Sequence, residues 1–212
     1  MIYNKGVKGK VGALLMNHKE KLVKLIEKKN GLLLTKDAEQ EGIPRKYLSI
    51  FNKEGLLERV AHGVYVSPDT FVDEMYIIQA RVGKAIFSHE TALYLHDLTD
   101  RDPIEYSVTI PSGFNGSSLR KDGVKVYKIK KELHELGVMQ LKTNFGRTIK
   151  AYNKERTICD IIRNRNNMDI DILNEALKRY VRDKDRNIHQ LLNYAKKLRI
   201  YSITRKYMEM LQ

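Results

Sequence analysis

His89, Glu90 and His96 stand together in the stretch "SHETALYLHDL", residues 88–98. Two imidazoles and a carboxylate are the residue types of a zinc hydrolase centre. There the histidines sit at i and i+4 on one helix face, and the glutamate acts as general base. Position 93, where the second imidazole would have to be, is leucine. His96 is seven residues from His89, which on a helix separates them by about 10 Å along the axis, while zinc ligands lie roughly 2 Å from the ion. The pattern instead predicts a packing helix, capped by Ser88 and running to about Leu98, with Ala92, Leu93, Leu95 and Leu98 facing a core.

Three other chemical signals fail on similar grounds. "SGFNGSS" (residues 112–118) has glycines three apart and no lysine after them, so it is not a phosphate-binding loop. Asp169 and Asp171 resemble a metal-binding carboxylate pair, but they precede the helical stretch "ILNEALKRYV", where acidic residues stabilise a helix N-terminus. Cys159 lies among Ile158, Ile161 and Ile162 and reads as a buried, inert thiol. No nucleophile, base and orienting group occur together. The expectation is a non-enzyme with no catalytic residue, metal or cofactor.

The residues that remain interesting are basic, and their positions follow from the elements around them. From Lys19, Leu22, Leu25 and Ile26 recur at helical spacing until Asn30-Gly31 stops the run. "LLLTKDAEQEGIP" contains a short second helix with Thr35 as N-cap and Gly42 at the turn. Pro44 suits the first position of a third helix that ends near Glu54-Gly55 and buries Tyr47, Leu48 and Phe51. Leu57 to Val60 and Val64 to Ser67 then read as two strands around the turn Ala61-His62-Gly63, with Pro68 closing the module. Three helices followed by a hairpin describe a winged helix-turn-helix, which presents its third helix to the major groove. Arg45, Lys46 and Lys53 then suit phosphate or guanine, Asn52 suits adenine, and Ser49 allows close approach. Arg59 and His62 lie on the wing.

The charge distribution agrees. The chain of 212 residues carries a net charge of +13. Residues 1–67 hold 13 Lys+Arg against 7 Asp+Glu, residues 68–177 hold 16 of each, and residues 178–206 hold 10 against 2. Positive charge at both ends of a neutral middle suits a protein that touches a polyanion with two surfaces. A hydrophobic content of 42% suffices for a core, and the single cysteine fits a reducing cytoplasm. Lysines before Val11 to Met16 imitate a secretory leader. That apolar run of six residues is shorter than the roughly seven such a leader needs, and no run approaches a membrane span.

After Pro68, Met75, Ile78 and Val82 mark a helix, and Ala85-Ile86-Phe87 reads as a short apolar link. "PIEYSVTIP" alternates as a strand, and "VKVYKIK" is a second strand beyond a polar loop. The C-terminal end reads as three helices. Leu173, Leu177 and Tyr180 lie inside the first, Asn187 caps the second, and Ser202 caps the third. Among them, Arg182, Lys184, Arg186, Lys196, Lys197, Arg199, Arg205 and Lys206 form either a second nucleic-acid face or a solvated surface. The expected fold class is α+β, with a winged helix-turn-helix at 1–68 and an α+β domain with a basic helical tail at 69–212.

"GIPRKYLSIFNKEGLLERVAHGVYVSP", "FSHETALYLHDL", "YSVTIP" and "ERTICDIIR", in this order before the basic helical tail, resemble the AbiEi antitoxins of bacterial abortive-infection systems. The resemblance extends over nearly the whole chain from about Lys19. It implies a type IV toxin–antitoxin pair with a nucleotidyltransferase-like toxin and no stable complex between the two. It also implies autorepression through inverted repeats in promoter DNA, read by the N-terminal domain. His62-Gly63 departs from the family, in which a more basic residue is common at that wing position. The alternative reading is a stand-alone winged-helix regulator whose C-terminal domain binds a ligand or a protein.

Overall fold

The computed structural model describes residues 18–211, and the leader-like stretch Val11 to Met16 lies outside them. The chain divides into two compact units, residues 1–81 and 82–212.

The first unit begins with a helix over residues 18–28 (α1), followed by β1 (Leu32–Leu34), α2 (Thr35–Gln40), α3 (Arg45–Lys53), β2 (Glu58–Ala61), β3 (Val64–Val66) and α4 (Glu74–Arg81). Strand β1 is absent from the sequence reading. It pairs antiparallel with β3, placing Leu33 opposite Tyr65, and gives a three-stranded sheet in the order β1-β3-β2. Both faces of that sheet are covered, which is why three consecutive leucines are all buried. Leu33 and Tyr65 pack with Leu22, Leu25, Ile43, Tyr47, Leu48 and Phe51. Leu32, Leu34, Val64 and Val66 pack on the other face with Ile77 of α4. The helix after Pro68 therefore turns Ile77 and Ile78 inward, and Met75 is only half-buried.

Local chemistry sets the turn between α2 and α3. Leu34, not Thr35, is the N-cap of α2, and the Asp37 carboxylate accepts its N–H at 3.0 Å. Thr35 is already helical and donates its hydroxyl to the Gly63 carbonyl at 3.3 Å. Gly42 has φ of +70°, a conformation that disfavours side chains, so the chain can reverse and seat Ile43 N–H on the Ala38 carbonyl at 2.8 Å. Pro44 is the N-cap of α3, one position earlier than expected.

The second unit contains β4 (Ile86–Phe87), α5 (His89–Leu95), β5 (Ser107–Pro111), α6 (Ser117–Lys121), β6 (Lys125–Ile129), α7 (Lys131–His134), β7 (Val138–Lys142) and β8 (Thr148–Tyr152). Helices α8 (Lys154–Arg163), α9 (Ile170–Arg182), α10 (Ile188–Lys197) and α11 (Tyr201–Leu211) follow. The strands form one mixed sheet in the order β6-β5-β4-β8-β7. The expected apolar link is thus its central strand: Phe87 stands opposite Val108 on one side and Ala151 on the other. Strands β5 and β6 run parallel through α6, which lies in the segment read as a loop. The hairpin β7-β8 was not anticipated.

Helix α8 organises the helical layer. Asn153 caps it by accepting the Arg156 N–H at 3.0 Å, and residues 155–162 are all buried. Ile158, Cys159, Ile161 and Ile162 meet Leu93 and Leu98 from the α5 region, Leu173, Leu177 and Tyr180 of α9, Leu191 and Ala195 of α10, and Met208 of α11. Each fully buried large apolar side chain contributes about 1.5–3 kcal/mol relative to exposure. Asn187 caps α10 as expected, accepting from Gln190 N–H at 2.9 Å, whereas Ser202 lies inside α11.

Candidate nucleic-acid interface

Helix α3 turns Tyr47, Leu48 and Phe51 into the core, which leaves Arg45, Ser49, Asn52 and Lys53 on the opposite side at spacings of four, seven and eight residues. Lys46 is exposed beside them, its Nζ 5.4 Å from the Tyr47 ring centroid. Arg59 and His62 are exposed on the β2–β3 hairpin, with Arg59 Nη2 3.1 Å from His62 Nδ1.

Two of these side chains have internal partners. Arg45 hydrogen-bonds the Glu39 carboxylate of α2, which holds its pKa above the ordinary arginine value. Asn52 donates from Nδ2 to the Leu57 carbonyl at 2.9 Å, so one of its amide N–H groups is committed to the architecture. Other lysines near the module are neutralised: Lys19 pairs with Glu54 at 2.8 Å and Lys29 with Asp37 at 3.0 Å.

The eight basic residues of the C-terminal end are all exposed, spread over α9, α10, α11 and their connections. Lys184 and Arg186 line one shallow depression beside Asn187. Arg186 donates to the Asp183 carbonyl at 3.0 Å, and Arg205 pairs with Glu209 at 2.6 Å. Lys196 Nζ stands 5.3 Å from the Tyr201 ring centroid.

The two histidines of the opening motif have separate surroundings, His89 buried and His96 half-buried. His96 Nε2 donates to the Tyr152 carbonyl at 2.7 Å, and burial pushes its pKa down. His89 stacks on Tyr127, with centroids 3.5 Å apart and planes 10° apart. Burial, aided by the charges of Lys125, Arg156 and Arg163, lowers its pKa to about 3. Ser88 occupies the N-cap position of α5, but its hydroxyl serves His89 Nδ1 at 3.0 Å instead of a helix N–H. Among the described residues, no group of three or more His, Cys, Asp or Glu side chains is placed to hold a metal ion. Asp169 caps α9 by accepting the Asp171 N–H at 2.8 Å. Cys159 is fully buried, and burial pushes its thiol pKa well up.

The sequence reading missed a cavity of about 210 Å³ in the second unit, lined by His89, Tyr127, Lys128, Arg156, Asp160 and Arg163 among others. These residues come from α5, β6 and α8 and are joined only by the sheet order. Arg156, Asp160 and Arg163 share one face of α8 at i, i+4 and i+7, but no sequence spacing links them to His89 or to β6.

Residues 20–68, which contain α2, α3 and the hairpin, match the family described as "Transcriptional regulator, AbiEi antitoxin". Over these residues the N-terminal module is similar to the AbiEi family. No curated protein matches the chain. Among solved structures, it is similar in fold to the RV2827C protein from Mycobacterium tuberculosis, with a TM-score of 0.61 at 13% identity over 85% of this chain and 71% of that one. Residues 20–68 therefore have a family likeness in sequence, and 85% of the chain a likeness in fold. Among the described residues no helix is long and apolar enough to cross a membrane.

Proposed function

We propose that the protein is a DNA-binding transcriptional autorepressor and the antitoxin of a type IV toxin–antitoxin pair, acting against a nucleotidyltransferase-like toxin. The observation that carries the reading is the exposed, basic side of α3 within a module similar to the AbiEi family. The order of three helices and a sheet is that of a winged helix-turn-helix, in which α3 enters the major groove. Lys46 and Lys53 would meet phosphates, Arg45 and Ser49 the base edges or backbone, and Arg59 and His62 the flanking backbone. The DNA partner is duplex promoter with inverted repeats. The C-terminal cations supply a second polyanion-binding surface.

The test is binding to the DNA upstream of the protein's own gene, followed by anisotropy over a range of salt. Arg45→Ala, Lys46→Ala and Lys53→Ala together are expected to weaken binding by about a hundredfold or more, because each substitution removes a DNA interaction worth roughly 1 kcal/mol or more. Unchanged affinity would remove α3 as the recognition element. Coexpression with the product of the neighbouring gene tests the antitoxin role separately, with restored growth as the expected result.

A further inference from the structure

The cavity beside His89 has a lining that DNA binding does not use. Its hydrogen bonds fix the state of the imidazole. Thr109 donates its hydroxyl to Ser88 Oγ at 2.9 Å, and Ser88 is fully buried, so the Ser88 hydroxyl proton is directed to His89 Nδ1 at 3.0 Å. Nδ1 is therefore the acceptor, and a neutral imidazole then carries its proton on Nε2. His89 thus offers the cavity a donor. Its backbone is held at φ of +50°, a strained conformation of the kind that collects at functional sites.

The charges are arranged in two layers. Arg156 is fully buried and fixed: Nε donates to both Asp160 oxygens at 3.1 and 3.2 Å, and Nη1 donates to the Leu133 and Leu136 carbonyls at 2.9 and 2.7 Å. Its guanidinium carbon stands 4.0 Å from the Tyr152 ring centroid. Its Nη2 is buried and has no hydrogen-bond partner among the described residues. Gly137, at φ of +78°, admits this packing, because a Cβ there would come within 2.7 Å of Arg156 Cβ. Asp160 receives a single N–H from that partner, and a carboxylate has room for several more donors. At the outer layer Lys128 and Arg163 are exposed.

We propose that this cavity binds a small molecule bearing an oxyanion, either phosphate or carboxylate, through Arg163, Lys128 and the His89 Nε2 donor. Asp160 accepts an N–H or O–H from the same molecule, and Arg156 is a positioning residue that holds Asp160. The cations Arg156, Lys128 and Arg163 against the single carboxylate of Asp160 favour an anion, and the retained carboxylate selects one that also carries a donor. A volume of about 210 Å³ is below the ~300–1,000 Å³ of sites for drug-sized ligands, which limits the occupant to a compact one. The inference goes beyond the DNA-binding reading and does not rest on it.

The experiment titrates the whole chain with inorganic phosphate and, separately, with glycolate, at constant ionic strength set by sodium chloride. The His89 imidazole resonances and the unfolding temperature are followed. A saturable shift with either anion is expected, and the arm that gives it names the oxyanion. Lys128→Gln with Arg163→Gln is expected to weaken that binding by about tenfold or more, without changing the unfolding temperature in the absence of added anion. No saturable shift in either arm would overturn the proposal. An equal shift in the double variant would do so too, since it would mark an adventitious ion elsewhere on a basic surface. Promoter binding, measured in parallel, is expected to be unaffected by the double variant, so failure here is distinguishable from failure of the DNA-binding reading.

Discussion

Asn52 Nδ2 donates to the Leu57 carbonyl at 2.9 Å, tying the end of α3 to the chain that enters the hairpin. The amide best suited to recognising adenine is therefore also a structural link between the helix and the wing. Asn52 is an exposed residue, so the two roles compete for the same side chain.

Asn52→Ala is expected to lower the stability of the protein by about 1 kcal/mol, the usual value of one hydrogen bond, with the loss visible as a lower urea midpoint. Its effect on DNA binding should be spread over all sequences. Unchanged stability with discrimination lost at a single A·T pair would show that Asn52 acts only as a base reader.

Glu39 competes with DNA for Arg45, because it already hydrogen-bonds the guanidinium. Glu39→Gln should release Arg45 and remove a negative charge from the footprint. Binding at low salt is expected to tighten by roughly threefold, and the gain should shrink as salt screens both charges. Weaker binding in this variant would mean that the ion pair orients Arg45 for contact.

Lys196, Lys197 and Arg199 test the C-terminal surface. If they touch phosphates, neutralising all three should reduce the slope of log affinity against log salt by about 0.9 for each phosphate that is no longer neutralised. An unchanged slope would make them solvated surface residues.

His89 predicts an acid-sensitive second unit. Its pKa falls from 6.5 to about 3 on folding, so the native state favours the neutral ring. That stability is fully present above pH 6.5 and is lost as the pH falls toward 3, by about 2 kcal/mol at pH 5. His96, also lowered by burial, acts in the same direction. Urea unfolding at pH 7 and pH 5 checks this, and His89→Gln should flatten the dependence. Equal stability at both pH values in the parent protein would contradict it.

The Cys159 thiol is fully buried, with burial raising its pKa and the Leu191 carbonyl 3.6 Å from Sγ. It should react with a thiol reagent only as fast as the second unit opens, and rapidly in urea. Fast labelling of the native protein would show that the packing of α8 against α10 is loose.

Much of the architecture was readable because it is local. The buried stripe of α3, the turn at Gly42, the hairpin around His62-Gly63, the cap at Asn187 and the inward faces of α9 and α10 each follow from a few neighbouring residues. The failed metal motif was local too, since leucine at position 93 excludes the required spacing. Strands β1, β4, β7 and β8 were not readable. At three and two residues, β1 and β4 are too short to show a period, and Ile86-Phe87 is buried throughout, so it carries no alternation to distinguish a strand from a linker. Strand β7, at five residues, places no fully buried residue on either face.

The sequence by itself determined the α+β class, the basic ends and the exposed side of α3. These depend on charge, composition and periodicity within single elements. Only the tertiary structure decided that Asn52 and Arg45 have internal partners, and that His89, Lys128, Asp160 and Arg163 line one cavity. The cavity residues come from α5, β6 and α8, and the pairing of β4 with both β5 and β8 that brings those elements together leaves no trace in local spacing.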